Sequence, residues 1–247
     1  MQCGVKWQVP VVDAARPWML ALDTSNQIAS IALAPVGQED AGIGAEVTWD
    51  AGRRQTTTVL NQVDHLMRLA GIENEALGAV AIAIGPGSFN ALRVGMSVAK
   101  GLAFALDIPI FGVGTLDAAA MSVSLAGKPV RAFLDAGRSR VVSGDYRFGP
   151  NGLELRGPLV HRTLDDLAEG LIEPTVFAGE LTEAARKRLR GEQHVILPWP
   201  AQSRRRASTL LDIAARRWQN GDADDLLALE PVYVHSQPAA ATTERHL

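Results

Sequence analysis

Cysteine is almost missing from this sequence: one residue in 247, Cys3, near the start of the chain. A single thiol supports neither an internal disulfide framework nor a cysteine-built zinc site, and a chain this poor in cysteine fits a reducing cytoplasm. Long apolar runs are also missing. The longest stretch without a charge, Ala76 to Leu92, is interrupted by Gly85-Pro86-Gly87 and cannot form a spanning helix, so no membrane association is expected. Only Val9-Pro10-Val11-Val12 precedes Asp13, too short for the apolar core of a signal peptide, and secretion is not expected. The five histidines (65, 161, 194, 235 and 246) include no pair at the i,i+3 or i,i+4 spacing that places two ligands on one helix face. No metal site and no metallopeptidase chemistry are therefore expected. A Gly-x-Ser-x-Gly elbow is absent, no Gly-Lys-Ser/Thr follows the glycine turn, and Gly112-Val113-Gly114 lacks the third glycine of a dinucleotide fingerprint. No residue is assigned a catalytic role.

What remains is an ordinary globular composition, 47% hydrophobic and 21% charged in 26.4 kDa. A chain of this size buries roughly three quarters of its unfolded surface. The net charge is -3, and the short basic clusters Arg53-Arg54, Arg186-Lys187-Arg188 and Arg204-Arg205-Arg206 read as solvated helix faces or turns. Any nucleic acid is expected to be held mainly by another chain.

Residues 1–17 lack periodicity and read as a loose leader. Trp18 to Leu22 and Ile28 to Val36 are apolar strands separated by the polar turn Asp23-Thr24-Ser25-Asn26, with a third strand at Ala45 to Trp49. Thr57 to Ala70 repeats apolar residues at helical spacing and stops at Gly71. Ala79 to Ile84 reads as a buried parallel strand, Ser88 as the cap of a helix running to Leu106, and Pro109 to Val113 as the next strand. Thr115 is expected to cap a further helix reaching Leu125. The order then restarts. Val130 to Leu134 ends at Asp135, 112 residues after Asp23, and two strands follow, through Val141 to Phe148 and around Leu153 to Val160. A helix from Leu164, a strand (Thr175 to Ala178), a helix (Leu181 to Arg190), a strand (Val195 to Leu197) and a helix (Ser208 to Trp218) complete the half. This recurrence predicts a duplicated α/β fold, with a first lobe over 18–116, a second over 117–234 and a tail over 235–247.

Two strand-turn-strand units, each with an aspartate ending its first strand, describe the hairpins with which actin, sugar kinases and heat-shock ATPases hold nucleotide phosphates between two lobes. Asp23, Thr24, Ser25 and Asp135 are therefore candidate remnants of a nucleotide cleft; the alternative is that the aspartates are plain turn formers. Gly85, Pro86, Gly87 and Ser88 form a turn that opens a helix and could offer backbone N–H groups to an anion. In the helix that follows, Ala91, Gly95, Ala99 and Ala103 recur every four residues and drift only about 40° per step, giving one face little bulk. Such a face either packs on its own sheet or admits a second helix closely.

The run Leu20-Ala21-Leu22-Asp23-Thr24-Ser25, followed by Gly85-Pro86-Gly87-Ser88-Phe89, Leu92-Arg93-Val94-Gly95, Ala99-Lys100-Gly101-Leu102-Ala103, Ile108-Pro109 and Gly112-Val113 with Thr115-Leu116, resembles the TsaB (YeaZ) family. Asp135-Ala136 and Pro231-Val232-Tyr233 are similar to later landmarks of that family. The sequence departs from the family pattern at Gln55-Thr56, at Asn90-Ala91 and at Gly137, with Arg138 one place late. The resemblance implies a two-lobed actin and heat-shock ATPase-like (ribonuclease H-like) fold. It also implies a cytoplasmic accessory subunit that supports a TsaD-like subunit, with a TsaE-like ATPase, in forming threonylcarbamoyladenosine beside the tRNA anticodon. No tightly bound cofactor is implied, only weak or interface-dependent ATP or ADP. The chain is expected to dimerise when alone and to meet tRNA indirectly. Its partner interface is expected at Val63, Met67, Ala91, Gly95, Ala99, Leu102 and Ala103. The competing expectations are an active ATPase or phosphotransferase on the same fold, and a divergent, self-associating paralogue.

Overall fold

A computed structural model describes residues 15–37, 42–52, 55–123, 127–137, 140–150 and 152–234. The leader through residue 14 with Cys3, the Arg53-Arg54 pair, Arg138, and the tail from residue 235 with two of the histidines lie outside the described residues.

The first sheet contains β1 (Trp18–Asp23), β2 (Ile28–Pro35), β3 (Ala45–Asp50), β4 (Leu77–Gly85) and β5 (Ile110–Gly114), in the order β3-β2-β1-β4-β5. The β1–β2 and β2–β3 pairs are antiparallel, whereas β1–β4 and β4–β5 are parallel. All nine residues of β4 are buried, which explains its uninterrupted apolar sequence. The two-residue period sorts the side chains of this strand. Val80, Ile82 and Ile84 pack under α1 (Gln55–Ala70) and α2 (Phe89–Leu106), while Ala79, Ala81 and Ala83 face the other side. There the small alanines leave room for Leu210, Leu211 and Trp218 of α5 (Ala207–Gln219), with α3 (Thr115–Ser122) alongside. Thus α5 covers the first sheet although it follows every strand of the second.

The second sheet contains β6 (Val130–Gly137), β7 (Arg140–Gly149), β8 (Gly152–Leu155), β9 (Val160–Thr163), β10 (Thr175–Ala178) and β11 (Val195–Ile196), in the order β11-β10-β6-β7-β8. Its pairings repeat those of the first sheet: antiparallel β6–β7 and β7–β8, parallel β10–β6 and β10–β11. This is the duplicated α/β architecture expected from the sequence. The third strand is split, however. β8 pairs with the C-terminal half of β7 and β9 with its N-terminal half, so the single strand expected near Leu153 to Val160 is two short ones joined through Arg156-Gly157-Pro158. The helix expected from Leu164 is one 3-10 turn, Asp165–Ala168, and α4 is shorter than expected, at Glu183–Leu189.

Two expected caps also differ. Ser88 occupies the position before α2, but its side chain makes no capping bond, and its backbone N–H donates instead to Ser25 O at 2.7 Å. Gly114, not Thr115, precedes α3; Thr115 is fully buried, and its hydroxyl accepts the Gly85 N–H at 3.1 Å.

Candidate functional site

Each lobe contributes a hairpin to one cleft of about 640 Å³. Its walls are residues 26–28 at the β1–β2 turn and the start of β2, 87–89 of the glycine turn, 134–137 at the end of β6, and 180–182 after β10. The parallel strands β1, β4, β6 and β10 all end toward this cleft, which is why the turns that follow them meet there.

Asp23 lies behind this wall and is 1% exposed. Its Oδ1 accepts from the Ser25 N–H at 2.9 Å and the Ser25 hydroxyl at 2.5 Å, and its Oδ2 accepts from Arg205 Nε at 3.0 Å. Thr24 is equally engaged, donating from Oγ1 to Ala91 O at 2.8 Å. Asp23, Thr24 and Ser25 of the first hairpin are thus committed within the fold, and Asn26 and Gln27 are the polar residues it turns to the cleft. Asp135 differs: it is exposed at the cleft, and its Oδ1 accepts the Gly137 N–H at 2.7 Å, the bond of a turn former.

Arg205 corrects the reading of Arg204-Arg205-Arg206 as a wholly solvated cluster. The side chain is 2% exposed, between Asp23 and Glu180, with Glu180 Oε1 3.3 Å from its Nη1. That second contact is an ion pair by distance but lacks hydrogen-bond geometry. Burial pushes the Glu180 carboxyl upward, Asp23 adds to the rise, and Arg205 opposes it. Asp23 together with Glu180 holds the Arg205 guanidinium protonated despite its burial. The segment leading into α5 alternates: Ser203 and Arg205 are buried, Arg204 and Arg206 exposed. The need of a buried aspartate for a counter-charge is the one sequence signal toward such a partner; which of the three arginines serves is set by the folded backbone.

The glycine turn is held from both sides. Gly85 has φ +114°, a conformation that excludes other residues at low cost, and a Cβ there would strike Val232 O. The Val232 N–H donates to Ile84 O at 2.7 Å, and Tyr233 packs its ring 4.9 Å from that of Phe89. Gly87 fits because Ser25 O occupies the space of a side chain. The Gly85 and Ser88 N–H groups are therefore spent on Thr115 and Ser25, and the expected anion cradle is, at these two positions, a packing joint.

The small-residue face of α2 is likewise turned inward. Ala91, Gly95, Ala99 and Ala103 are buried, and a Cβ on Gly95 would collide with Thr24 Oγ1. Val63 and Met67 are buried in the same core, with Leu102 partly buried beside it. As a contact surface this set is corrected: the sheet of its own lobe covers it, leaving only Leu102 partly accessible. The exposed apolar residues of the α1–α2 pair are Leu60 and Leu69, on opposite flanks of α1 at 54% and 66% exposure, and Phe104 of α2 at 77%, and nothing lies within 4 Å of the Cβ position of Gly101.

Among the described residues, no group of three or more His, Cys, Asp or Glu side chains could hold a metal ion, and no helix is long and apolar enough to cross a membrane. Fold and cleft define a two-lobed α/β protein of the actin-like ATPase class. The family model of tRNA N6-adenosine threonylcarbamoyltransferase, TsaD, matches residues 46–215. The tRNA threonylcarbamoyladenosine biosynthesis protein TsaB of Bacillus subtilis is 32% identical over 66% of this chain and 71% of its own length. The protein of that name from Escherichia coli is 27% identical over 90% and 96%. Among solved structures, YeaZ from Pseudomonas aeruginosa superposes with a TM-score of 0.70 at 26% identity, covering 88% of this chain and 99% of that one. The chain belongs to the TsaB (YeaZ) family, within the wider group described by the TsaD model.

Proposed function

We propose that this chain is a non-catalytic subunit in the formation of threonylcarbamoyladenosine on tRNA, supporting a TsaD-type transferase together with a TsaE-type ATPase. The observation that carries the reading is the Asp23–Arg205 pair: the carboxylate that would orient a metal-bound water in an ATPase of this fold instead neutralises a buried arginine. A guanidinium is a permanent cation and has no water to activate. Asp135 remains at the cleft with a solvated wall, a setting for weak ATP or ADP contact, strengthened if a partner closes over it.

Partner binding is assigned to the outward side of α1 and α2. Gly101 and Phe104 of α2 form a small apolar strip there, beside Val94 and Val98, which are half-buried against the core, while Leu60 and Leu69 expose apolar surface on opposite flanks of α1. The same strip would join two copies when the chain is alone. Gly101 makes the test clean, because the fold leaves room for a side chain at that position. Gly101→Leu should keep its circular dichroism spectrum and bind TsaD about 5- to 150-fold more weakly, the equivalent of about 1–3 kcal/mol of overpacking. Reconstituted tRNA modification should fall when this chain is omitted. A purified chain that turns over Mg-ATP by itself, and loses that turnover in Asp135→Asn, would establish the phosphotransferase reading instead.

A further inference from the structure

Residues 183–206 carry seven of the chain's 24 Lys and Arg residues and only two of its 27 Asp and Glu residues. The fold gathers this charge. Arg186 of α4 donates to Pro198 O at 2.6 Å and Ser203 Oγ at 2.7 Å, so the helix is clamped onto the 198–206 segment. Of the acidic groups around the patch, Asp165 and Glu192 are both taken by Arg188, and the exposed Glu183, one helical turn before Lys187, makes no ion pair with it. Lys187, Arg190, Arg204 and Arg206 are exposed, and none of the four lies within ion-pair distance of a carboxylate among the described residues.

Trp199 stands in the same segment at 78% exposure. Its backbone is fixed: its N–H donates to Gln202 Oε1 at 3.2 Å, and its C=O accepts from the Gln202 and Ser203 N–H groups at 2.9 and 3.2 Å. A defined turn therefore holds a large indole out in water, where it gains nothing for the fold. An exposed aromatic on a rigid turn beside unquenched cations is the arrangement that takes single-stranded nucleic acid, with a base stacked on the ring and phosphates on the cations.

We propose that the α4 and Trp199 surface is a direct RNA contact, taking an unpaired loop of the tRNA. The proposal rests on the tRNA-modification reading above, and it assigns this chain a contact of its own where the sequence predicts only an indirect one. Trp199 is the stacking platform. Lys187, Arg190 and Arg206 take the backbone phosphates. Arg204, close enough to influence Glu180, lies at the rim.

The test uses the full-length chain in complex with its TsaD partner and a fluorescein-labelled, unmodified tRNA transcript, with affinity followed by anisotropy over a salt series. Trp199→Ala should weaken binding about 5- to 150-fold with the salt dependence unchanged, because stacking is not ionic. Lys187→Glu and Arg206→Glu should weaken binding and flatten the slope of log affinity against log salt by about 0.7 for each phosphate no longer neutralised. All three positions are exposed, so circular dichroism should match the parent. Variants that bind the transcript as the parent does overturn the proposal. If they instead lose the transferase or the ATPase, the surface is a protein interface and the proposal is equally overturned. Sedimentation of the same samples reports TsaD assembly separately. Parent protein that assembles while all three variants bind tRNA normally removes only the RNA contact, whereas parent protein that never assembles removes the accessory-subunit reading itself.

Discussion

Asp23 and Asp135 end the first strands of two sheets that are connected and paired in the same way, yet their surroundings share almost nothing. Asp23 is buried, accepts from Ser25 twice, and is bound to an arginine 182 residues further along the chain. Asp135 is in solvent and accepts one backbone bond two residues away. Duplication fixed the position of both carboxylates, but only the first acquired a buried partner. Arg205 precedes α5, the helix that covers the first sheet, and so can reach β1; among the described residues no arginine pairs with Asp135. A topological match between halves therefore does not carry a chemical role from one aspartate to the other.

The largest way to break this comparison is to remove Arg205. Arg205→Met leaves Asp23 charged in a site without solvent, and breaking a buried pair from one side typically costs about 3–5 kcal/mol. Urea unfolding should register a loss of that size. Asp23→Asn combined with Arg205→Met should recover most of it, because no uncompensated charge is then left at Asp23. A loss below about 1 kcal/mol for the single variant would mean that Asp23 is held by Ser25 alone.

Gly95→Ala comes next, at about 1–3 kcal/mol of overpacking. The added methyl meets Thr24 Oγ1, whose bond to Ala91 O links α2 to the first hairpin. Stability should fall, while affinity for TsaD measured on the folded fraction should hold. Gly101→Leu, further along the helix on its outward side, should do the reverse. If both variants lose association equally, the two faces of α2 are not distinct.

That pair of glycines shows where sequence reading succeeds and where it stops. The strands of the first lobe, the long helix from residue 89 to 106 and the recurrence at Asp135 are legible because period and turn chemistry are local properties. The four-residue spacing of Ala91, Gly95, Ala99 and Ala103 correctly places them on one face, but a one-dimensional pattern does not say which side the sheet is on. Leu92 and Met96 are buried with them, and Phe104, the larger apolar residue, is outside. Arg205 escaped for a related reason. Three adjacent arginines share a charge, and only the extended backbone before α5 points the middle one inward while its neighbours face water.

Glu180 gives a smaller effect that depends on pH. Its folded carboxyl titrates above the ordinary glutamate range because burial and Asp23 outweigh Arg205. A raised folded value means that the native state holds this proton more tightly than the unfolded chain does. The resulting stabilisation is full below the unfolded value and is lost as pH rises through the folded one, from about pH 4 upward. Glu180→Gln removes the titration, so its stability relative to the parent should improve as pH climbs through that window and level off above it. A difference between variant and parent that stays constant across the window would show that the Glu180 carboxyl is not raised in the folded state.

Asp135→Ala should have the smallest effect on the fold and completes the comparison. The carboxylate is exposed, and the bond it forms joins neighbouring residues of a turn, so its loss should fall within about 0.5 kcal/mol, as for surface positions in general. Asp23→Ala, by contrast, strips a buried arginine of its closest counter-charge and should resemble Arg205→Met. Measured side by side by urea unfolding, the two alanine variants should therefore differ several-fold. Nucleotide binding provides the converse readout. If the cleft takes ATP or ADP weakly, Asp135→Ala should reduce that binding without moving the unfolding midpoint, because this carboxylate faces the cleft rather than the core. Equal destabilisation by the two substitutions would mean that Asp135 too is part of the structural frame, and the contrast between the hairpins would fail.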